Sequence, residues 1–317
     1  MTLKIAATEF LMHCRFEKNL SQKTLKAYET DLNQLRLFLK KKEQVLEILK
    51  EDLRSYLVEL SSLKPKSIKR KVATIKALFN YLEFEDKILI NPFRKMRIKI
   101  KEPQTIRPVM DIREVIKILK TSYLIKASIR QKNCYSYFES LRNIVVIELL
   151  FSTGARVAEI ADLKMEVINL KTGTILIKGK GNKERIIQIC NQETLTIMQE
   201  YSQFVRDNKK LTENWFLINR FNKKLTDQSI RNIVHQIAKA AGLKRSITPH
   251  VFRHTFATLL LEKDVDIKYI QSLLGHSSIT TTQIYTHVNR KRQRQILTTK
   301  HPRKDFSMNF LSSANQG

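Results

Sequence analysis

Thr174-Ile175-Leu176-Ile177-Lys178 and Arg185-Ile186-Ile187-Gln188-Ile189, connected through Gly179-Lys180-Gly181-Asn182, are two runs with the character of strands. Their β-branched, apolar character and the glycine-bearing joint predict a β-hairpin with lysines at its tip and edges. A Walker-type phosphate loop needs Gly-x-x-x-x-Gly-Lys-Ser/Thr ahead of a helix; this segment lacks that spacing and leads into a strand, so use of a nucleotide triphosphate is not indicated. Helical periodicity prevails on both sides of the hairpin. The expected fold is therefore mostly α with a small β-hairpin or sheet, an α+β arrangement.

Upstream, Leu25, Tyr28, Leu32, Leu35 and Leu39 recur at three-and-four spacing, as do Ile68, Val72, Ile75, Phe79 and Leu82, and Ser21 and Ser67 are suitable N-caps. Several amphipathic helices predict an N-terminal bundle over residues 1–94. Lys66, Lys69, Arg70 and Lys71 crowd one helix start, where a solvated face and a phosphate-facing one look alike. Asn91-Pro92 closes the helical part, and the basic, twice proline-interrupted stretch 95–108 reads as a linker. A second domain is expected over 109–289, with a basic tail over 290–317. Within it, residues 121–140 carry Tyr123, Tyr135, Tyr137 and Phe138 and could form a contact surface of their own.

The charge is large and spread out. Against 30 Asp and Glu stand 58 Lys and Arg, a formal net charge of +28 over 317 residues. Residues 1–107 hold 24 basic and 13 acidic side chains, net +11, and the remainder 34 and 17, net +17. Solubility needs only roughly 2–8 charges on a small domain. A broad positive field on both halves instead fits two parts of a clamp on a polyanion, nucleic acid above all. Cys14, Cys134 and Cys190 are odd in number and scattered, indicating neither a disulfide framework nor a zinc site. Met1-Thr2-Leu3-Lys4 opens no secretory signal, and the longest apolar run, 144–151, is short and broken by Glu148. A cytoplasmic, nucleoid-associated protein without a membrane span is expected.

The chemistry sits in the last half. Ser152-Thr153-Gly154-Ala155 interrupts a helix, Gly154 suits a left-handed turn, and Arg156 opens a helix over 157–163. Thr248-Pro249 is a helix start, which puts His250 in the first turn and Arg253 one turn later on the same face. A helix N-terminus with His and Arg favours an anion. Leu274-Gly275 stops a helix, His276 follows in the corner, and Ser278 can cap a new helix carrying Tyr285, nine residues after His276. Two histidines and an arginine that can hold a phosphate, followed by a tyrosine, describe attack on a phosphodiester by a phenol. Each element also has a plainer reading. His250 and His254 stand at a metal-pair spacing, but position 251 is valine where a zinc peptidase motif needs glutamate, and no metal is called for. The segment 266–288 could equally be a helix-turn-helix whose tyrosine merely packs.

The ordered set Thr-Gly-Ala-Arg156-Val-Ala-Glu159, Gly-Lys180-Gly-Asn-Lys, His250-x-x-Arg253-His254, Leu-Gly-His276 and Thr-Gln-Ile-Tyr285-Thr-His closely resembles the tyrosine recombinase (phage integrase) family, most of all its compact Xer-type and integron-integrase members. The resemblance spans most of the chain and implies a core-binding domain over 1–94 and a catalytic domain over 109–289. It implies Tyr285 as nucleophile, Arg156 and Arg253 on the scissile phosphate, His250 and His276 assisting, and Lys180 serving the leaving oxygen, chosen by the family pattern from Lys178, Lys180 and Lys183. Glu159 is implied as structural support beside Arg156. No cofactor is implied. The implied partner is double-stranded DNA with specific core sites, bound by a homo-tetramer or by a hetero-tetramer with a related recombinase, each protomer passing a C-terminal element to its neighbour. A type IB topoisomerase-like nicking-closing enzyme and a non-catalytic DNA-binding regulator are the alternative activities on the same fold.

Overall fold

In the computed structural model the described residues are 1–40, 42–103, 108–179, 184–208, 214–275 and 289–308. The chain divides into two compact units, Met1–Thr105 and Ile106–Gly317. The first holds four helices, α1 (Leu3–Phe16), α2 (Gln22–Phe38), α3 (Lys50–Glu59) and α4 (Pro65–Phe84). The apolar rows expected on α2 and α4 supply its core: Leu32, Leu35, Val72, Ile75, Phe79 and Leu82 are buried together with Leu3, Phe10 and Leu53. Ser21 caps α2 as expected, its hydroxyl accepting from Thr24 N. Ser67 does not cap α4. That helix starts two residues earlier, with Lys64 as N-cap and Pro65 in the first turn, because proline's fixed φ already suits the helix and its missing N–H is not needed there. Met96, Ile98 and Ile100, in the expected linker, pack against this same core.

The second unit is built around α6 (Tyr135–Thr153), which is preceded by α5 (Ile112–Ala127). Its run over 144–151 is apolar apart from Glu148, so the helix can be stable only when surrounded. It packs against α5, α8 (Gln192–Asn208) and α10 (Pro249–Leu261). Residues 144–151 are fully buried. The helices α7 (Val157–Ala161), α9 (Asp227–Ala240), α11 (Ile267–Leu274) and α12 (Asn289–Lys300) complete the helical layer. The hairpin is present as β2 (Thr174–Lys178) and β3 (Glu184–Gln188), antiparallel, with Ile175 opposite Ile187 and Ile177 opposite Arg185. A third strand, β1 (Ile168–Asn169), pairs with β2 and makes the sheet three-stranded. Its two residues are too short for a readable alternation.

Within residues 121–140, Tyr123, Tyr137 and Phe138 turn inward, while Leu124, Ile125 and Tyr135 remain at the surface. Phe138 is wholly buried, Tyr137 donates to Glu200, and Tyr123 donates to Glu148 at 2.9 Å, although Tyr135 stays exposed. Glu148, the charge inside α6, is completed from the far end of the chain. Arg303, in a 3₁₀ turn over Pro302–Asp305, is fully buried and makes three contacts with the Glu148 carboxylate at 2.8–3.2 Å. A fourth bond, at 2.8 Å, reaches Glu193, whose carboxylate also accepts from Met308 N. His301 is wedged between the rings of Phe151 and Phe256. Residues 301–308 are thereby docked on the core of their own chain. All three cysteines are free. No helix among the described residues is long and apolar enough to cross a membrane.

Removing one partner of a buried pair leaves the other charge uncompensated, at a cost of about 3–5 kcal/mol. Arg303→Ala is expected to lower unfolding stability by that amount in urea titrations, and Arg303→Ala with Glu148→Gln to recover part of it.

Candidate active site

Gly154 ends α6 in the left-handed region at φ +58°, and space reinforces the choice of residue: a Cβ there would lie 2.5 Å from Phe256 Cδ1 and 2.9 Å from Leu274 Cδ2. The close approach draws α6, α10 and α11 together at one corner. Arg156 follows as N-cap of α7, on extended backbone. Glu159, one turn on, accepts from Arg156 N at 2.9 Å and from Arg156 Nη1 at 2.8 Å. Glu159 thus holds both the backbone and the guanidinium of Arg156.

The helix α10 begins at Pro249 with Thr248 as N-cap by position, although the threonine hydroxyl makes no capping bond. His250 is exposed in its first turn, and Arg253, one turn later, is buried at 8% exposure. Arg253 Nη1 donates to Gly154 O and Nη2 to Leu274 O, both at 2.8 Å. Burial, then the nearby Arg156 and Arg185 charges, pull the Arg253 guanidinium down to about 10, still protonated near neutral pH. Gly275 closes α11 at φ +67°, as its sequence position suggested.

At that closure three successive carbonyls each meet a different arginine. Leu273 O accepts from Arg185 Nε at 2.8 Å, Leu274 O from Arg253, and Gly275 O from Arg156 Nη2 at 3.2 Å. The last carbonyls of a helix have no partner within it and carry the negative end of its dipole, so cations are well placed there. Arg156 and Arg253, 97 residues apart in sequence, are brought to one point. The arginine that sequence reasoning missed is Arg185. It shares the inward row of β3 with buried Ile187, opposite Ile177, and its Nη1 and Nη2 reach the two oxygens of Glu159 at 3.2 and 2.7 Å. An arginine in a strand row otherwise occupied by isoleucine was the available signal.

Lys180, Lys183, His276, Ser278 and Tyr285 lie outside the described residues. Lys178, in the last strand pair before the hairpin's connection, is exposed and pairs with Glu184 at 3.5 Å. No group of three or more His, Cys, Asp or Glu side chains arranged for a metal occurs among the described residues. In the N-terminal unit the ambiguous basic cluster of α4 is partly resolved. Arg70 and Lys71 turn to the buried Asp31, Lys71 at 3.0 Å, and Lys69 pairs with Glu102 at 3.0 Å, while Lys66 is exposed.

Residues 110–292 match the family described as "Phage integrase family", and residues 7–86 match "Phage integrase, N-terminal SAM-like domain". A tyrosine recombinase of Agathobacter rectalis is 44% identical over 305 residues, covering 96% of this chain and 98% of that protein. Tyrosine recombinase XerC of Thermodesulfovibrio yellowstonii is 36% identical over 304 residues, covering 93% and 95%. Among solved structures, XerH recombinase bound to difH substrate in a pre-cleavage complex is similar with a TM-score of 0.66 and 25% identity, covering 92% of this chain and 84% of that one. A lambda integrase dimer bound to a COC′ core site shares the fold, with a TM-score of 0.66 at 21% identity over 88% of this chain and 96% of that one.

Burial alone would raise the Glu159 carboxyl, but the bonds from Arg185 and Arg156 outweigh it and hold the group below the ordinary carboxylate value. A carboxyl depressed in the folded state contributes stability that is fully present above its unfolded pKa, about 4.3, and is lost as pH falls through the folded value. Glu159→Gln is therefore expected to flatten the acid limb of stability below about pH 4.3, read as urea midpoint against pH.

Proposed function

The chain belongs to the phage integrase family, and from that membership we propose that it is a site-specific tyrosine recombinase, cutting and rejoining DNA strands through a covalent 3′-phosphotyrosyl intermediate. The observation that carries the site assignment is the convergence of Arg156 and Arg253 on the end of α11, ten residues before Tyr285. We assign residues 1–94 to core binding, 95–108 to the linker, 109–289 to catalysis and 290–317 to the tail.

In this reading Tyr285 Oη attacks the phosphorus, an O–P bond forms, and the bond to the 5′ oxygen of the next deoxyribose breaks. The phenol, with a reference pKa near 10, gives up its proton as it attacks, and His250 and His276 are the groups assigned to assist it. Lys180 donates a proton to the departing 5′ oxygen. Negative charge grows on the nonbridging oxygens, and the fixed guanidinium groups of Arg156 and Arg253, each able to make two bonds, stabilise it without a metal. The phosphotyrosyl link retains the energy of the broken backbone bond, so the 5′ hydroxyl of a new strand reverses the step without ATP. Exchange between two duplexes needs four protomers, which we place on nucleoid DNA in the cytoplasm. A tail contact with a neighbouring protomer is available to residues beyond Met308, since withdrawing Arg303 would leave Glu148 unpaired in the core.

Footprinting on genomic fragments should find a palindrome-like core site. On a nicked trap duplex carrying that core, the wild type is expected to accumulate a covalent adduct, and Tyr285→Phe to form none while folding and binding DNA unchanged. A wild type without adduct would favour the DNA-binding regulator. A plasmid with two cores changes connectivity only if strands are exchanged, which separates recombination from nicking and closing. Lys180→Ala is expected to be slower by about 10²–10⁴-fold, as for loss of a general acid. It should recover on a substrate with sulfur at the 5′ bridging position, because a thiolate leaves unaided.

A further inference from the structure

We propose that Arg185 is a positioning residue for the strand-cleavage step, a reading that rests on the recombinase assignment above. Its guanidinium is nearly buried, with 13% of the side chain exposed, and joins three parts of the site that share no covalent neighbour. Nε holds Leu273 O, at the end of the helix that leads to His276. Nη1 and Nη2 grip both oxygens of Glu159, and the same carboxylate grips Arg156 through its N–H and its Nη1. The strand that carries Arg185 is itself one arm of the hairpin whose connection bears Lys180. A rotation of Glu159 would turn Arg156 with it, and a shift at Leu273 would displace Gly275 O, which is the other anchor of Arg156. Arg185 opposes both motions at once.

The fork geometry is essential to this role. A guanidinium presents planar, divergent donors that match a carboxylate in two places and leave Nε for a third acceptor, whereas a lysine ammonium is a point charge on a flexible stem. Space around it is tight. A Cβ on Gly275 would lie 3.0 Å from Arg185 Nη1 and 3.4 Å from its Cζ, so the guanidinium is packed directly against the turn. Three of its donors are committed inside the protein, and in this proposal Arg185 acts on the phosphate through Arg156 and the turn, whereas Arg156 and Arg253 are the groups assigned to touch it.

The test uses single-turnover cleavage of the nicked trap duplex at saturating protein, together with the DNA dissociation constant, for wild type, Arg185→Lys, Glu159→Gln, Arg156→Ala and the double variants. Misplacement of catalytic groups by about 1 Å can cost 10²-fold, so Arg185→Lys is expected to cleave about 10²-fold more slowly with DNA affinity unchanged. In cycles, Arg185→Lys should add little to Glu159→Gln and little to Arg156→Ala, because nothing is left to position. Arg185→Gln and a thermal melt of every variant keep the comparison to molecules folded at the assay temperature. Wild-type rates in Arg185→Lys or Arg185→Gln, or losses that multiply independently with those of Arg156→Ala, overturn the positioning role while leaving the recombinase reading intact. Absence of adduct in the wild type overturns both.

Discussion

Three consecutive carbonyls at the end of one short helix govern the geometry of the second unit. Leu273, Leu274 and Gly275 each present an oxygen to a different arginine, and those arginines come from β3, α10 and the start of α7. A helix end buried without partners is costly, and in most proteins water or a cap meets the need. Here the need is met by side chains from distant points of the chain, so satisfying the helix and assembling the cationic pocket are one event. Gly154 makes that event possible, because any side chain at its position would collide with Phe256 and Leu274 and push α10 and α11 away.

A second buried constraint works at the other side of α6. The apolar helix carries one carboxylate at its heart, and Arg303 reaches it from near the C-terminus with help from Thr194 and Tyr123. Breaking such a pair is far more expensive than never having formed it. The consequence is a fold whose central helix depends on residues 301–308, which are part of the core and not an appendage to it.

Much of this could be read in the sequence, and the exceptions have physical reasons. The hairpin was legible because β-branched runs flank a glycine-rich joint, and Gly154 and Gly275 were legible because a helix that stops at glycine announces a left-handed turn. Arg156 and Arg253 could be placed on their helices but not in contact, since nothing local encodes a meeting across so many residues; the family pattern supplied that expectation. The start of α4 was misread because a serine and a proline compete as start signals and the proline prevailed. Of the aromatic residues of 121–140, Tyr123 and Tyr137 send their hydroxyls inward because the carboxylates of Glu148 and Glu200 accept them, while Tyr135 stays at the surface. Arg185 escaped notice because it looked like one basic residue among many.

Asp31, wholly buried in the N-terminal unit, gives the final point. It takes up Arg70, Lys71 and the hydroxyl of Thr74, while Glu102 engages Lys69. Much of the positive charge that crowds the start of α4 is thus spoken for inside the protein. A tally of lysines and arginines overstates how many phosphates this helix can neutralise, and a polyanion laid along it would shed fewer sodium or potassium ions than that tally implies.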